Sequence, residues 1–101
     1  MSVEALDTIL GRLFRRLGLE DELQGWRAVE GWARAVGPRV ARHTRAVSYR
    51  SGVLRVEVDG SAWMHELSYL KQELVRTINR ELGARRVHDV RFVTPRKGVL
   101  Q

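Results

Sequence analysis

Residues 45–59, RAVSYRSGVLRVEVD, decide the fold. Ala46, Val47 and Tyr49 lead into Arg50-Ser51-Gly52, after which Leu54, Val56 and Val58 alternate strictly with Arg55, Glu57 and Asp59. A period of two around a glycine turn predicts a β-hairpin with one face in water. Downstream the period changes. Gly60-Ser61 supplies a turn and a helix N-cap, and Trp63, Leu67, Leu70, Leu74, Ile78 and Leu82 then keep a helical spacing for about six turns, with Gly83 as the stop. Val87 to Val93 is β-branched and aromatic, with Val90 and Phe92 on one face and Asp89 and Arg91 on the other, so it predicts a last strand that Pro95 closes.

Upstream the pattern is helical. Val3, Leu6, Leu10, Leu13 and Leu17 recur at spacings of three and four before Gly18, which predicts an amphipathic first helix. Leu23, Trp26, Val29, Trp32 and Val36 predict a second, starting near Asp21, with both Trp on one buried stripe and Gly37-Pro38 as its break. Pro38 suits the entry of a further short turn through Val40 and His43. The order is α-α-β-β-α-β, an α+β domain whose long crossover helix covers one face of a three-stranded sheet.

The chain has 101 residues, enough for one core and too few for a two-domain enzyme. The expected organisation is one domain over 1–101, with N-terminal helices in 1–37, hairpin, long helix and last strand in 45–94, and a short tail in 95–101. Arg or Glu interrupts every apolar stretch, which predicts no membrane span. Two acids before any base, with no cleavage site, predict no signal peptide and a cytoplasmic protein. Without Cys, no disulfide, thiolate metal site or Cys nucleophile can form.

The formal charge is +6, carried by 16 Arg and 2 Lys against 12 acids. Position matters more than the total. From Arg34 to Arg55 there are six Arg and no acid, and from Arg85 to Lys97 there are five bases against Asp89. Brought together by the fold, these blocks form an electropositive surface for phosphates. The residues expected to contact phosphate are Arg39, Arg42, Arg45, Arg50, Arg85, Arg86, Arg91 and Arg96, with Tyr49 as a candidate for stacking on an unpaired base. The competing reading is that these Arg only solvate helix faces.

Enzymatic readings find little support. Lys71 and Lys97 follow no glycine-rich phosphate loop, so ATP hydrolysis is not expected. His43, His65 and His88 are too scattered for a metal site, and Ser61 near His65 and Glu66 is better explained as a helix cap than as a nucleophile. No cofactor, metal, catalytic residue or small-molecule substrate is expected.

Several segments in order carry a family resemblance: Trp32-Ala33-Arg34-Ala35-Val36-Gly37, Val40-Ala41-Arg42-His43-Thr44, Gly52-Val53-Leu54-Arg55-Val56-Glu57-Val58, Ser61-Ala62-Trp63, Glu66-Leu67 and Val90-Arg91-Phe92. Taken together they resemble the DciA family of bacterial replication proteins across nearly the whole chain. The resemblance implies a K-homology-like fold without the GxxG loop, and none of the nine Gly here forms a GxxG. It also implies a nucleoid-associated protein that recruits or loads the replicative helicase DnaB onto single-stranded DNA without hydrolysing ATP. Double-stranded DNA and RNA remain open as ligands, and the alternatives are an RNA-binding K-homology-like module or a pure protein-interaction domain. Longer family members carry a C-terminal extension used in helicase contact, whereas few residues follow Thr94 here, which makes the helicase contact less secure than the DNA contact.

Overall fold

The computed structural model describes residues 3–95. Its elements run α1 (Val3–Arg16), α2 (Glu20–Ala41), β1 (Thr44–Arg50), β2 (Val53–Val58), α3 (Ser61–Tyr69), α4 (Lys71–Leu82) and β3 (Asp89–Val93). The sheet order is β1-β2-β3, with β1 antiparallel to β2 and β2 parallel to β3. This is an α+β architecture consistent with a small K-homology-like domain.

The hairpin turn is Ser51-Gly52, both at positive φ (49° and 84°), the backbone that a two-residue loop matched to strand twist requires. A second constraint also favours glycine at position 52. A Cβ there would run into the His88 ring, because the Gly52 carbonyl accepts the His88 N–H at 2.7 Å and so sets the start of β3 beside the turn.

Helices cover one face of the sheet. Leu54, Val56 and Val58 of β2 and Val90 of β3 meet Ala28 and Trp32 of α2, Leu67 of α3, and Leu74 and Ile78 of α4, all buried, while Phe92 packs at the margin. Trp32 has 1% of its surface exposed. Its indole N–H donates to Thr44 Oγ1 at 2.9 Å, and that hydroxyl donates to the Val40 carbonyl at 3.0 Å. The donor that burial would orphan is thus satisfied, and the end of α2 is tied to the start of β1. Asn79 of α4 similarly holds the approach to β3: its Oδ1 accepts the N–H of Arg86 and of Val87, and its Nδ2 donates to the Val87 carbonyl.

Three expectations need correction. The helix predicted over 61–82 is two helices meeting at Leu70, whose N–H reaches back only three residues, to the Leu67 carbonyl. Ser68 hydroxyl donates to the Met64 carbonyl at 2.7 Å, the side-chain competition with backbone bonding that bends helices. Ser61 is the first residue of α3, and no side chain caps that helix; Gly60, at φ 96°, precedes it. Trp26 does not share the Trp32 stripe: six positions apart on a helix are about 120° apart in direction, and Trp26 is 44% exposed. The first helix forms as expected and packs chiefly on α2, with Leu13, and Leu17 just past its end, exposed. The break at Gly37-Pro38 is present, with Gly37 at φ 85° inside α2.

Candidate nucleic-acid interface

The face of the sheet turned away from the helices carries the charge, and a single irregularity in β1 sets which residues reach it. Thr44, Arg45 and Ala46 pair with Val58, Glu57 and Val56; Ser48, Tyr49 and Arg50 pair with Arg55, Leu54 and Val53. Val47 is the extra residue of a β-bulge, and it shifts the alternation by one. Arg45, Ser48 and Arg50 therefore share the outer face, while Tyr49 turns to the covered face opposite buried Leu54. On β2 the outer residues are Val53, Arg55 and Glu57, and in the parallel register they lie beside Asp89, Arg91 and Val93 of β3.

Four Arg and two carboxylates thus share one open face. Both carboxylates are engaged: Glu57 with Arg45 at 3.2 Å, and Asp89 with Lys71 of α4 at 3.7 Å. Among the described residues Arg50, Arg55 and Arg91 have no acidic partner. Arg55 and Arg91 are register partners on adjacent strands, where like charges repel each other. Such a pair gains when an anion lies across it.

The other residues expected at phosphate do not all join this face. Arg85 is exposed in the segment before β3. Arg86 is half-buried, and its backbone is pinned by Asn79 and by Tyr49, whose hydroxyl donates to the Arg86 carbonyl at 2.8 Å. Both adjoin the turn end of the sheet, the end of Arg50. Arg39 and Arg42 are exposed at the opposite end, where α2 runs into β1, and Arg39 borders a groove with Trp63 and Leu70. Arg96 lies outside the described residues. Arg34, within the first basic block, is paired with Glu81 of α4 at 3.0 Å. Arg55 is an outer-face residue that the set expected at phosphate from the sequence does not include. The strict alternation of β2 already marked it as outward, but only the parallel pairing with β3 puts it beside Arg91.

No glycine lies between Gly60 and Gly83, so the α3–α4 joint offers no glycine loop of backbone N–H groups to clamp a nucleic-acid backbone. Among the described residues no three His, Asp or Glu side chains gather into a group that could hold a metal ion. Among the same residues, no helix is long and apolar enough to cross a membrane.

Comparison with known proteins agrees with the reading of the sequence. The family described as "Dna[CI] antecedent, DciA" matches residues 5–92. A UPF0232 protein of Corynebacterium glutamicum is 26% identical over 102 residues, covering 96% of this chain and 57% of that protein. A UPF0232 protein of Bifidobacterium longum is 30% identical over 67 residues, 66% of this chain and 43% of that protein. One from Mycolicibacterium paratuberculosis is 31% identical over 93 residues, 85% and 50% respectively. The chain spans about half the length of the curated relatives it matches. Since the match to the family begins in α1 and ends in β3, taking in the helices and the sheet, the chain belongs to the DciA family.

Proposed function

We propose that this domain binds single-stranded DNA on its open sheet face and serves, without catalysis of its own, as an adaptor that recruits or loads the replicative helicase DnaB in the bacterial cytoplasm at the nucleoid. The observation that carries the DNA contact is the set of Arg50, Arg55 and Arg91, exposed on one face and free of acidic partners among the described residues. Guanidinium groups spaced along adjacent strands suit a flexible chain of phosphates, and their contacts read charge rather than sequence. The helicase role is supported by membership of the DciA family. Energy for such a step comes from binding alone.

The test is an affinity pull-down of the tagged protein from its own cells after nuclease treatment, together with competition between DNA and RNA of one sequence for the purified chain. Retention of the helicase without nucleic acid, with DNA preferred over RNA, is the expected result. Loss of the helicase with RNA preferred would favour an RNA-binding module. No binding to either nucleic acid at physiological salt would leave a protein-interaction domain with solvated Arg.

A further inference from the structure

Trp26 keeps 44% of its surface in water although the same helix seals Trp32 in the core. It stands on the wall of a groove of about 720 Å³ between the first turns of α2 and the turn end of β1. Asp21, Glu22, Gly25, Tyr49 and Arg50 share that wall. Gly25 keeps the groove open: a Cβ there would sit 3.5 Å from Tyr49 Cδ1, so any longer side chain would project into the space. Tyr49 is a fixed wall, because its hydroxyl is bound to the Arg86 carbonyl at 2.8 Å.

Arg50 joins this groove to the charged face. By register it belongs to the outer face of the sheet with Arg55 and Arg91, and it also lines the groove at the edge of β1. A nucleic-acid backbone lying across the sheet and over this edge has an open indole next to it. The carboxylates of Asp21 and Glu22 repel phosphate, so the backbone stays at Arg50 and a base is the part that enters. Those carboxylates can accept hydrogen bonds from the exocyclic amino group of cytosine, which thymine lacks. A duplex, with its bases paired and stacked internally, has nothing to offer the indole.

We propose that Trp26 is the stacking platform of a single-nucleobase subsite, entered from the sheet face past Arg50 and favouring an amino-bearing base. The subsite rests on the single-stranded DNA reading of the sheet face, but it fails separately from it. A π-face of this kind contributes about tenfold in affinity per stacked base, and does so without releasing counterions.

The experiment uses the full chain with short labelled oligo(dC) and oligo(dT), measuring affinity by anisotropy over a salt series and following intrinsic tryptophan emission. Trp26→Ala should bind oligo(dC) about tenfold more weakly with an unchanged salt slope. Trp26→Phe should lose the quenching of emission that oligo(dC) causes in the native chain, since Trp32 and Trp63 remain. Gly25→Leu, which fills the groove and leaves the indole in place, should weaken binding as Trp26→Ala does, and it keeps the test sound if Trp26→Ala melts early. Native-like affinity in a folded Trp26→Ala or Gly25→Leu, or quenching that persists in Trp26→Phe, overturns the subsite and leaves the sheet face standing. Equal affinity of the native chain for oligo(dC) and oligo(dT) removes the two carboxylates from it. Failure of the native chain to bind either oligonucleotide at low salt overturns the subsite and the sheet-face reading together.

Discussion

Replacing both Arg55 and Arg91 by Gln separates a DNA contact from a merely solvated charge. The two residues are register partners on parallel strands, whose backbones run about 4.8 Å apart, and neither has an acidic partner among the described residues. In the free protein the substitution removes a repulsion and keeps most of each side-chain stem. The folded state should therefore gain a few tenths of a kcal/mol, and the melting temperature should hold or rise slightly. Binding should respond in the opposite direction. If Arg50, Arg55 and Arg91 each neutralise one phosphate while Arg45 stays with Glu57, log K against log salt on a single strand has a slope of about −2.1, from roughly 0.7 per contact. A fourfold rise in salt then weakens binding about 18-fold. With two contacts gone the slope is about −0.7, and the same rise weakens binding about 2.6-fold. Anisotropy of a labelled oligonucleotide over a salt series, with thermal melts of both proteins, measures every part of this. A variant that melts like the native chain and keeps its slope would refute the assignment of these Arg to phosphate, as would a native chain whose binding does not depend on salt.

Three further predictions concern the scaffold that positions the site. Asn79→Ala removes three hydrogen bonds holding the approach to β3 and strands the Val87 N–H, while the Arg86 N–H keeps the Ala84 carbonyl, so it should cost about 2–4 kcal/mol, read as a fall in melting temperature on the order of 10–20 °C. Gly52→Ala meets both a positive φ and the His88 ring, and it should destabilise by about 1–3 kcal/mol in denaturant unfolding; a neutral result would mean the turn is not built as described. Thr44→Val leaves the buried Trp32 N–H without its acceptor, and should cost about 1–3 kcal/mol with a shift in near-ultraviolet circular dichroism as the indole loses its partner.

The elements were largely legible in the chain because each is written at short range. Val53–Val58 alternates with period two and forms β2, and Lys71–Leu82 keeps the helical period and forms α4. Gly37-Pro38 breaks α2 where a left-handed backbone and a missing N–H oblige it to. The errors fall where local pattern underdetermines the outcome. The spacing of Trp63, Leu67, Leu70 and Leu74 is that of one helix, yet Leu70 becomes a joint, with the Ser68 hydroxyl competing for a backbone carbonyl just before it. Trp26 repeats at helical spacing with Val29 and Trp32, but burial depends on which neighbours arrive, and only a groove faces it.

The candidate site divides in the same way. Two acid-poor, Arg-rich blocks, the outward position of Arg55, and the absence of a phosphate loop are properties of residue order, and the sequence alone determines them. Which arginines meet is a property of pairing. The Val47 bulge reverses the alternation within β1, so Arg50 joins the outer face and Tyr49 leaves it. The parallel register of β2 with β3 brings Arg55 beside Arg91 across 36 positions of chain, a proximity that no local period encodes. The ion pairs that silence Arg34 and Arg45, and leave Arg50, Arg55 and Arg91 available among the described residues, arise only once helices and strands are packed. Hydrophobic period acts over a few residues and is written in the chain, whereas strand register and charge pairing act across the fold and exist only after it has formed.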